Sequence, residues 1–196
     1  LQKKLHGHRS VLILGPLEID PKILKKTILE IKPTIILLID GGGRHKDKLS
    51  AREQKITFSL GDGDSSTKED QPFLLLPRKK NFSDIAFAIK GLTQSKIPFE
   101  DIALLGLSSK NQEKRLDHFL FTLGLVHQLI KKNPIVVKMD EQFLFIPSGV
   151  HRFFYRGTFS VIALESTMIQ IQGKAQYRLN KWTKLGALNS LGLSNV

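Results

Sequence analysis

Residues 34–43 read TIILLIDGGG, in which an apolar run leads directly into one aspartate and three glycines. The run is much shorter than the roughly 20 residues that a membrane-spanning helix needs, and its aliphatic residues favour a buried strand. The glycines after Asp40 end the strand, because glycine interrupts regular structure. The stretch therefore predicts a β-strand of the kind found in parallel sheets that are covered on both faces.

Similar apolar runs recur along the first two thirds of the chain, and segments with helical periodicity separate them. The predicted strands are 11–15, 34–39, 56–60, 73–76 and 102–105, and the predicted helices are 21–31, 83–97 and 115–132. Asp20 is expected to cap the first helix, with Pro21 at its first position. Strands that alternate with helices predict an α/β fold, with a Rossmann-like, mostly parallel sheet and helices on both faces.

The pattern changes near Asn133 and Pro134. From there on the chain consists of short β-rich runs separated by turn residues, namely IVVKM, QFLFIP, FFYR, TFSVIAL, MIQIQG and AQYRL. Short strands of this kind predict a small antiparallel β domain. We therefore expect two domains, an α/β domain over residues 1–133 and a β domain over residues 134–196.

Composition narrows the class of protein. The formal net charge of +12 over 196 residues indicates polyanionic partners such as a nucleoside triphosphate or a nucleic acid. The chain contains no cysteine, which excludes disulfides and thiolate metal sites. The basic stretch LQKKLHGHRS has no apolar segment typical of a signal peptide, and no apolar run is long enough to span a membrane. We expect a cytoplasmic protein without a membrane partner.

Acidic residues follow four successive strands of the predicted sheet. Asp40 follows the second strand, Asp62 and Asp64 the third, Asp84 the fourth and Asp117 the fifth. Because ligands of open α/β sheets bind outside the carboxyl ends of the strands, these acids are expected at one edge. Converging carboxylates favour a hard cation, and Mg²⁺ is the expected one. The alternative role of Asp84 and Asp117 is to cap a helix.

Several other residues allow two interpretations. The glycines at 41–43 could let the backbone approach a phosphate, but the run lacks the lysine of a Walker loop. His118 could assist proton transfer or simply pack at the start of a helix. HRFFYR at 151–156 could stack on bases, although aromatic residues that alternate in a β-rich stretch more often place one face in the core.

Six short motifs resemble those of the thiamine pyrophosphokinase (thiamine diphosphokinase) family, in the family's order and over nearly the whole chain. They are IDGGG at 39–43, GDGDSS at 61–66, FSDIAFAI at 82–89, EKRLDH at 113–118, YRL at 177–179 and GLSN at 192–195. The second motif is similar to the family's Gly-Asp-Phe-Asp-Ser, and the fourth to its Gly-Gly-Arg-x-Asp-His. Each motif is weak alone, and the ordered set carries the resemblance.

This resemblance implies a homodimeric enzyme with an α/β ATP-binding domain and a β-sandwich domain that binds thiamine and forms the dimer. It implies transfer of the pyrophosphoryl group of ATP to the hydroxyl of thiamine, with release of AMP. By the same resemblance, Asp62, Asp64 and Asp84 would bind Mg²⁺. Asp40 and Asp117 would complete the acidic pocket or position the nucleophile.

The remaining site residues also follow from the resemblance. The expected contacts to ATP and its phosphates come from Gly41, Gly42, Ser65, Ser83, Arg115 and His118. The expected contacts to thiamine come from Trp182, Ser194 and Asn195. Arg115, which would also be catalytic, could instead form a surface salt bridge, Trp182 could be a packed core residue, and Ser194 and Asn195 could form a turn.

Two other functions remain compatible with the sequence. One is a related pyrophosphokinase with another alcohol as acceptor, for example a pterin. The other is a catalytically weak protein that binds nucleotides or nucleic acid, which the net charge of +12 favours. We expect ATP and thiamine as substrates, and we do not expect nucleic acid as the principal partner.

Overall fold

The computed structural model describes residues 9–63, 74–79, 81–94, 98–107, 116–175 and 178–189, and of Leu116 it describes the backbone alone. The chain divides into two compact units, Leu1–Ser148 and Gly149–Val196.

The first unit is built on a seven-stranded sheet in the order β4-β3-β2-β1-β5-β6-β7. Its strands are β1 Ser10–Leu14, β2 Ile35–Ile39, β3 Thr57–Gly61, β4 Leu74–Leu75, β5 Asp101–Leu105, β6 Val136–Met139 and β7 Phe143–Phe145. Strands β1 to β6 pair in parallel, and β7 runs antiparallel to β6. The mostly parallel sheet predicted from the sequence is confirmed.

Helices lie on both faces of this sheet. They are α1 Pro21–Ile31, a 3-10 helix Asp40–Lys48, α2 Ala51–Gln54, α3 Asp84–Gln94 and α4 Leu116–Lys132. Successive residues of β1 point to opposite faces, so Val11 and Ile13 pack in a core with α3 and α4, whereas Leu12 and Leu14 pack in a second core with α1. Every residue of β1 is buried, which places this strand at the centre of the unit.

The first helix begins as the sequence predicts. The side chain of Asp20 accepts a hydrogen bond of 2.7 Å from the amide of Lys22, and Pro21 lies in the first turn. The helix ends at Lys32, whose left-handed conformation directs its amide to the carbonyl of Ile28 at 2.9 Å. Of the helices in the described ranges, none combines the length and the apolar character that crossing a membrane requires.

The end of the first unit differs from the predicted boundary near residue 133. Strands β6 and β7 follow that residue but belong to the large sheet, and the units divide after Ser148. The cause is the crossover through α4, which returns the chain so that Val137 pairs in parallel with Ile102 of β5. Apolar periodicity indicates a strand but not whether the strand pairs in parallel or antiparallel. The sequence alone therefore assigns the residues of β6 to the β domain.

The second unit contains a two-stranded antiparallel sheet of β8 Thr167–Ile171 and β9 Leu179–Leu185. The runs 153–156 and 158–164, which the sequence predicts as strands, do not form strands. The side chains of Phe153 and Tyr155 are both exposed, so no buried face selects an alternating strand there. A small antiparallel sheet is confirmed, and within the described part of this unit no second sheet packs on it.

Candidate functional site at the carboxyl edge of the large sheet

The candidate site lies where the order of the strands changes direction. From β1 the chain moves outward through β2, β3 and β4, and it then crosses to β5 on the other side of β1. Such a switch leaves a crevice outside the carboxyl ends of the strands, and ligands of open α/β sheets bind there. The loops that follow β1 and β5 border this crevice.

Gly61, the last residue of β3, brings two of the expected acids together. A Cβ atom at this glycine would lie 3.4 Å from both the Cα and the backbone nitrogen of Asp40, and 3.5 Å from Oδ2 of Asp84. The end of β2, the end of β3 and the start of α3 therefore meet at one glycine. Because Gly61 has no side chain, the space beside the Asp84 carboxylate stays open.

Asp40 has an unusual backbone conformation. It follows β2, opens the 3-10 helix, has a φ of 55° and is exposed to solvent. The left-handed region costs an ordinary residue about 1–2 kcal/mol, and aspartate is among the residues that tolerate it best. Strained conformations of this kind cluster at functional sites, which supports a role for Asp40 beyond ending the strand.

The first two glycines after Asp40 are buried near the end of β1. A Cβ atom at Gly42 would lie 2.3 Å from the carbonyl oxygen of Leu14, so only glycine fits there. Gly41 is less constrained, because its nearest neighbour would be Cβ of Pro16 at 3.2 Å. Close packing of backbone on backbone therefore accounts for Gly42 without a phosphate.

Ser83 and Asp84 have different tasks at the start of α3. The Ser83 hydroxyl accepts a hydrogen bond of 3.3 Å from the amide of Ala86, and the Ser83 carbonyl accepts one of 3.0 Å from Phe87. Ser83 is thus the N-cap, and Asp84 is the first helical residue. The Asp84 side chain is half-buried, with Oδ1 inaccessible to solvent, and its negative charge is stabilised by the helix dipole.

The donors around Gly61 suit Mg²⁺. Asp62 directly follows this glycine in the sequence and is half-buried. Among the described residues no three His, Asp or Glu side chains form a group that could hold a metal. Mg²⁺ does not require such a group, since it commonly binds one or two carboxylates together with water and phosphate oxygens. Several expected site residues lie outside the described residues, namely Asp64, Ser65, Arg115, Ser194 and Asn195.

Asp117 and His118 lie in the first turn of α4 and are largely exposed. Oδ2 of Asp117 is 3.7 Å from Nε2 of His118, and the two side chains are 65% and 56% exposed. A carboxylate in this turn interacts favourably with the helix dipole. The two side chains thus lie close together at the carboxyl edge to which β5 leads.

Trp182 lies on β9 in the second unit and is 66% exposed. The interpretation of this tryptophan as a packed core residue is wrong, because most of its surface contacts solvent. An exposed tryptophan offers a large apolar face for a ligand or a partner.

Two residues at the carboxyl edge of the sheet are not predicted from the sequence. Asp140 follows β6 with a φ of 47°, and its Oδ1 accepts a hydrogen bond of 2.9 Å from the amide of Gly106. The rule that located the other acids would have found Asp140 if β6 had been assigned to the parallel sheet. His45 is fully buried in the 3-10 helix, and its Nε2 lies 3.0 Å from the carbonyl oxygen of Leu17. No periodicity or motif in the sequence indicates this contact.

Burial lowers the pKa of His45 below its usual value, because the imidazolium would lose its hydration. The nearby ammonium group of Lys48 acts in the same direction, while the carbonyls of Leu17 and Gly15 and the carboxylate of Glu18 oppose it. The histidine is therefore neutral at physiological pH.

No protein-family model matches the chain, and no curated protein matches it significantly. Among solved structures, the chain is similar to a probable thiamine pyrophosphokinase from Staphylococcus saprophyticus subsp. saprophyticus, with a TM-score of 0.52, 22% identity, and coverage of 95% of this chain and 89% of that chain. It is also similar to a protein from Lactobacillus plantarum, with a TM-score of 0.53, 20% identity, and coverage of 95% and 87%. At these identities the likeness concerns the fold. The chain shares the fold of a probable thiamine pyrophosphokinase, which supports the family resemblance that its motifs indicate.

Proposed function

We propose that this protein transfers the pyrophosphoryl group of ATP to the hydroxyl of thiamine, giving thiamine diphosphate and AMP. The observation that carries the proposal is the meeting of Asp40 and Asp84 at Gly61, on the edge of the sheet where ligands of α/β folds bind. The fold shared with a probable thiamine pyrophosphokinase and the ordered motifs support the same assignment.

In the proposed reaction the thiamine oxygen attacks the β-phosphorus of ATP. A new oxygen–phosphorus bond forms and the hydroxyl proton is released to solvent. The bond between the β-phosphorus and the oxygen that bridges it to the α-phosphorus breaks, and AMP leaves with the electron pair. The protein has to position the two substrates and balance the negative charge that moves onto the leaving group. Mg²⁺, when bound, would neutralise phosphate charge.

We assign a role in this reaction to each site residue. Asp62 and Asp84, together with Asp64, would hold Mg²⁺ near Gly61. Asp40 and Asp117 would position the thiamine hydroxyl and complete the acidic pocket. Arg115 would contact the phosphates, because its guanidinium offers several hydrogen-bond donors in a fixed planar arrangement. Further phosphate contacts would come from a second set of residues. These are Gly41, Gly42, Ser65 and His118, whereas the Ser83 hydroxyl is already used to cap α3.

We assign the thiamine site and the dimer contact to the second unit. Large apolar side chains of this unit are exposed, and they are Val150, Phe153, Phe154, Tyr155, Ile162, Met168, Trp182 and Leu188. Exposed apolar surface of this kind is typical of interaction sites. A second copy of the chain would cover part of it, and Trp182, Ser194 and Asn195 would contact thiamine. A monomer in sedimentation experiments at working concentration would contradict this assignment.

The test is a direct assay with the full chain, thiamine, ATP and MgCl₂, in which thiamine diphosphate and AMP are both quantified. We expect the two products in equal amounts. Asp84→Asn should lower kcat by about 100-fold or more, because it removes a charge that acts on the reacting phosphates. The matched control is Asp101→Asn, which changes an acid at the amino end of β5, opposite the site, and should stay within about twofold of wild type.

The outcomes separate the candidate functions. AMP without thiamine diphosphate would show that water accepts the pyrophosphoryl group in place of thiamine. A screen of other alcohols, with AMP release as the readout, would then identify the acceptor. Neither product, from protein that is folded, would contradict the proposal.

A further inference from the structure

A chain of hydrogen bonds runs across the carboxyl edge of the sheet and joins three loops to the 3-10 helix. The amide of Gly106 donates to Oδ1 of Asp140 at 2.9 Å, and the amide of Leu17 donates to the carbonyl of Gly106 at 3.0 Å. The carbonyl of Leu17 then accepts from Nε2 of His45 at 3.0 Å. The loops after β6, β5 and β1 are thereby joined to the 3-10 helix that follows β2.

The neutral ring of His45 can make this contact in one tautomer only. A carbonyl oxygen accepts but cannot donate, so Nε2 of the neutral ring must carry the proton. The ring is fully buried, and Nδ1 has no hydrogen-bond partner in the part of the chain that the structure describes. The bond to Leu17 is therefore what orients the imidazole.

The two loops beside the crevice are packed backbone to backbone. A Cβ atom at Gly15 would lie 2.6 Å from the carbonyl oxygen of Gly106, and one at Gly106 would lie 2.8 Å from the carbonyl oxygen of Leu17. A second contact joins the end of the 3-10 helix to the loop after β1, because the Lys48 ammonium donates a hydrogen bond to the carboxylate of Glu18. This ion pair is more exposed to solvent than the hydrogen bond between His45 and Leu17, so it should stabilise the position of the loop less.

We propose that His45 is a positioning residue for the nucleotide. It holds the loop of residues 15–19 against the 3-10 helix, and so keeps the two backbones that border the crevice in the arrangement that receives phosphates. The same helix begins at Asp40, so His45 also holds this acid in place beside Gly61. The part of this inference that concerns the nucleotide rests on the proposed function, whereas the loop contact does not.

The loop contact is tested by amide hydrogen exchange in His45→Phe, which keeps a large ring but removes the donor. Exchange at Leu17 and Gly106 should accelerate by about tenfold relative to the amide of Lys32, which lies in an α1 cap elsewhere in the unit. His45→Gln retains an N–H at a similar reach and should restore protection. His127→Phe makes the same chemical change on α4 and should leave the ratio unchanged.

The effect on nucleotide binding is tested by measuring the Kd of ATP with Mg²⁺ in the wild type and in the variants His45→Phe, His45→Gln and His127→Phe. We expect His45→Phe to raise the Kd by about tenfold, and His45→Gln to restore most of the affinity. Binding constants normalised to the folded fraction distinguish positioning from a loss of stability. Unchanged relative exchange at Leu17 and Gly106, or equal defects in His45→Phe and His45→Gln, would overturn the inference. If exchange at Leu17 and Gly106 changes as expected but the wild type does not bind ATP, the proposed function is rejected and the loop contact stands.

Discussion

Oδ2 of Asp84 lies 3.5 Å from the point that a Cβ atom of Gly61 would occupy, so the carboxylate faces open space only because that residue is glycine. Gly61→Ala should fold normally, since the contacts of the added methyl group would be of ordinary van der Waals length. Its methyl group would nevertheless occupy the space between Asp40 and Asp84. We expect kcat/KM for ATP to fall by about tenfold or more, with an unchanged Tm.

The matched control for this prediction is Gly91→Ala on α3, where a Cβ atom would meet nothing within 4 Å. Alanine favours a helix over glycine by about 1 kcal/mol, so this variant should gain stability and keep its activity. Full activity in Gly61→Ala would show that the space beside Asp84 is not used.

Substitution of Ser83 should lower the stability of the protein without affecting its activity, in contrast to substitution of Asp84. Ser83→Ala removes the hydroxyl that caps α3 and should lower the free energy of unfolding by about 1 kcal/mol, measured by urea denaturation. Because the hydroxyl is already bonded to the helix, the KM for ATP should change little. A large rise in KM with unchanged stability would instead assign Ser83 to phosphate binding, as the family resemblance implies.

Gly42 and Gly41 should respond differently to the same substitution. Gly42→Ala forces a methyl group to 2.3 Å from the Leu14 carbonyl, where backbone would have to move. The expected loss is about 1–3 kcal/mol in the free energy of unfolding. Gly41→Ala meets a side-chain carbon of Pro16 at 3.2 Å and should lose less. Equal stability of the two variants would contradict the close approach of the loop to β1.

The lowered pKa of His45 makes stability depend on pH with a definite sign. The unfolded histidine titrates near its ordinary value of 6.5, and the folded one below it, so the unfolded chain binds more protons in that window. The contribution of His45 to the free energy of unfolding should therefore be complete above about pH 6.5. It should decrease as the pH falls through this value toward the lower pKa of the folded state.

His45→Gln removes this titration and should flatten that part of the curve of unfolding free energy against pH. Glu18, whose pKa is lowered from 4.5 mainly by its bond to Lys48, titrates in a more acidic window and does not confuse the comparison. An identical pH dependence in the wild type and His45→Gln would show that His45 is not buried as described.

Strands covered on both faces were the most predictable part of this fold. Residues 11–14 and 35–39 are continuous apolar runs with polar or glycine residues at their ends, and each forms the expected strand. Asp20 and Pro21 mark the start of α1 by local chemistry that needs no tertiary contact. The placement of acids after strands then followed from the topology of parallel sheets.

The remaining features depend on contacts that a single sequence does not reveal. The 3-10 helix of Asp40–Lys48 is polar and rich in glycine, without helical periodicity, and it is tied down by His45 through a distant carbonyl. The direction of β6 is set by its pairing with β5. At the site, Ser83 rather than Asp84 caps α3, a choice between adjacent residues that helix signals alone leave open.

The central claim is that carboxylates at this edge hold a nucleotide with its metal ion, and Mn²⁺ in place of Mg²⁺ tests it most directly. With ATP and Mn²⁺ bound, paramagnetic broadening in amide NMR spectra should be strongest at Asp40, Gly61 and Asp84. Signals from the opposite edge, at Ser10 and Asp101, should remain sharp. Broadening centred on other surfaces, or none at saturating ATP, would contradict the account.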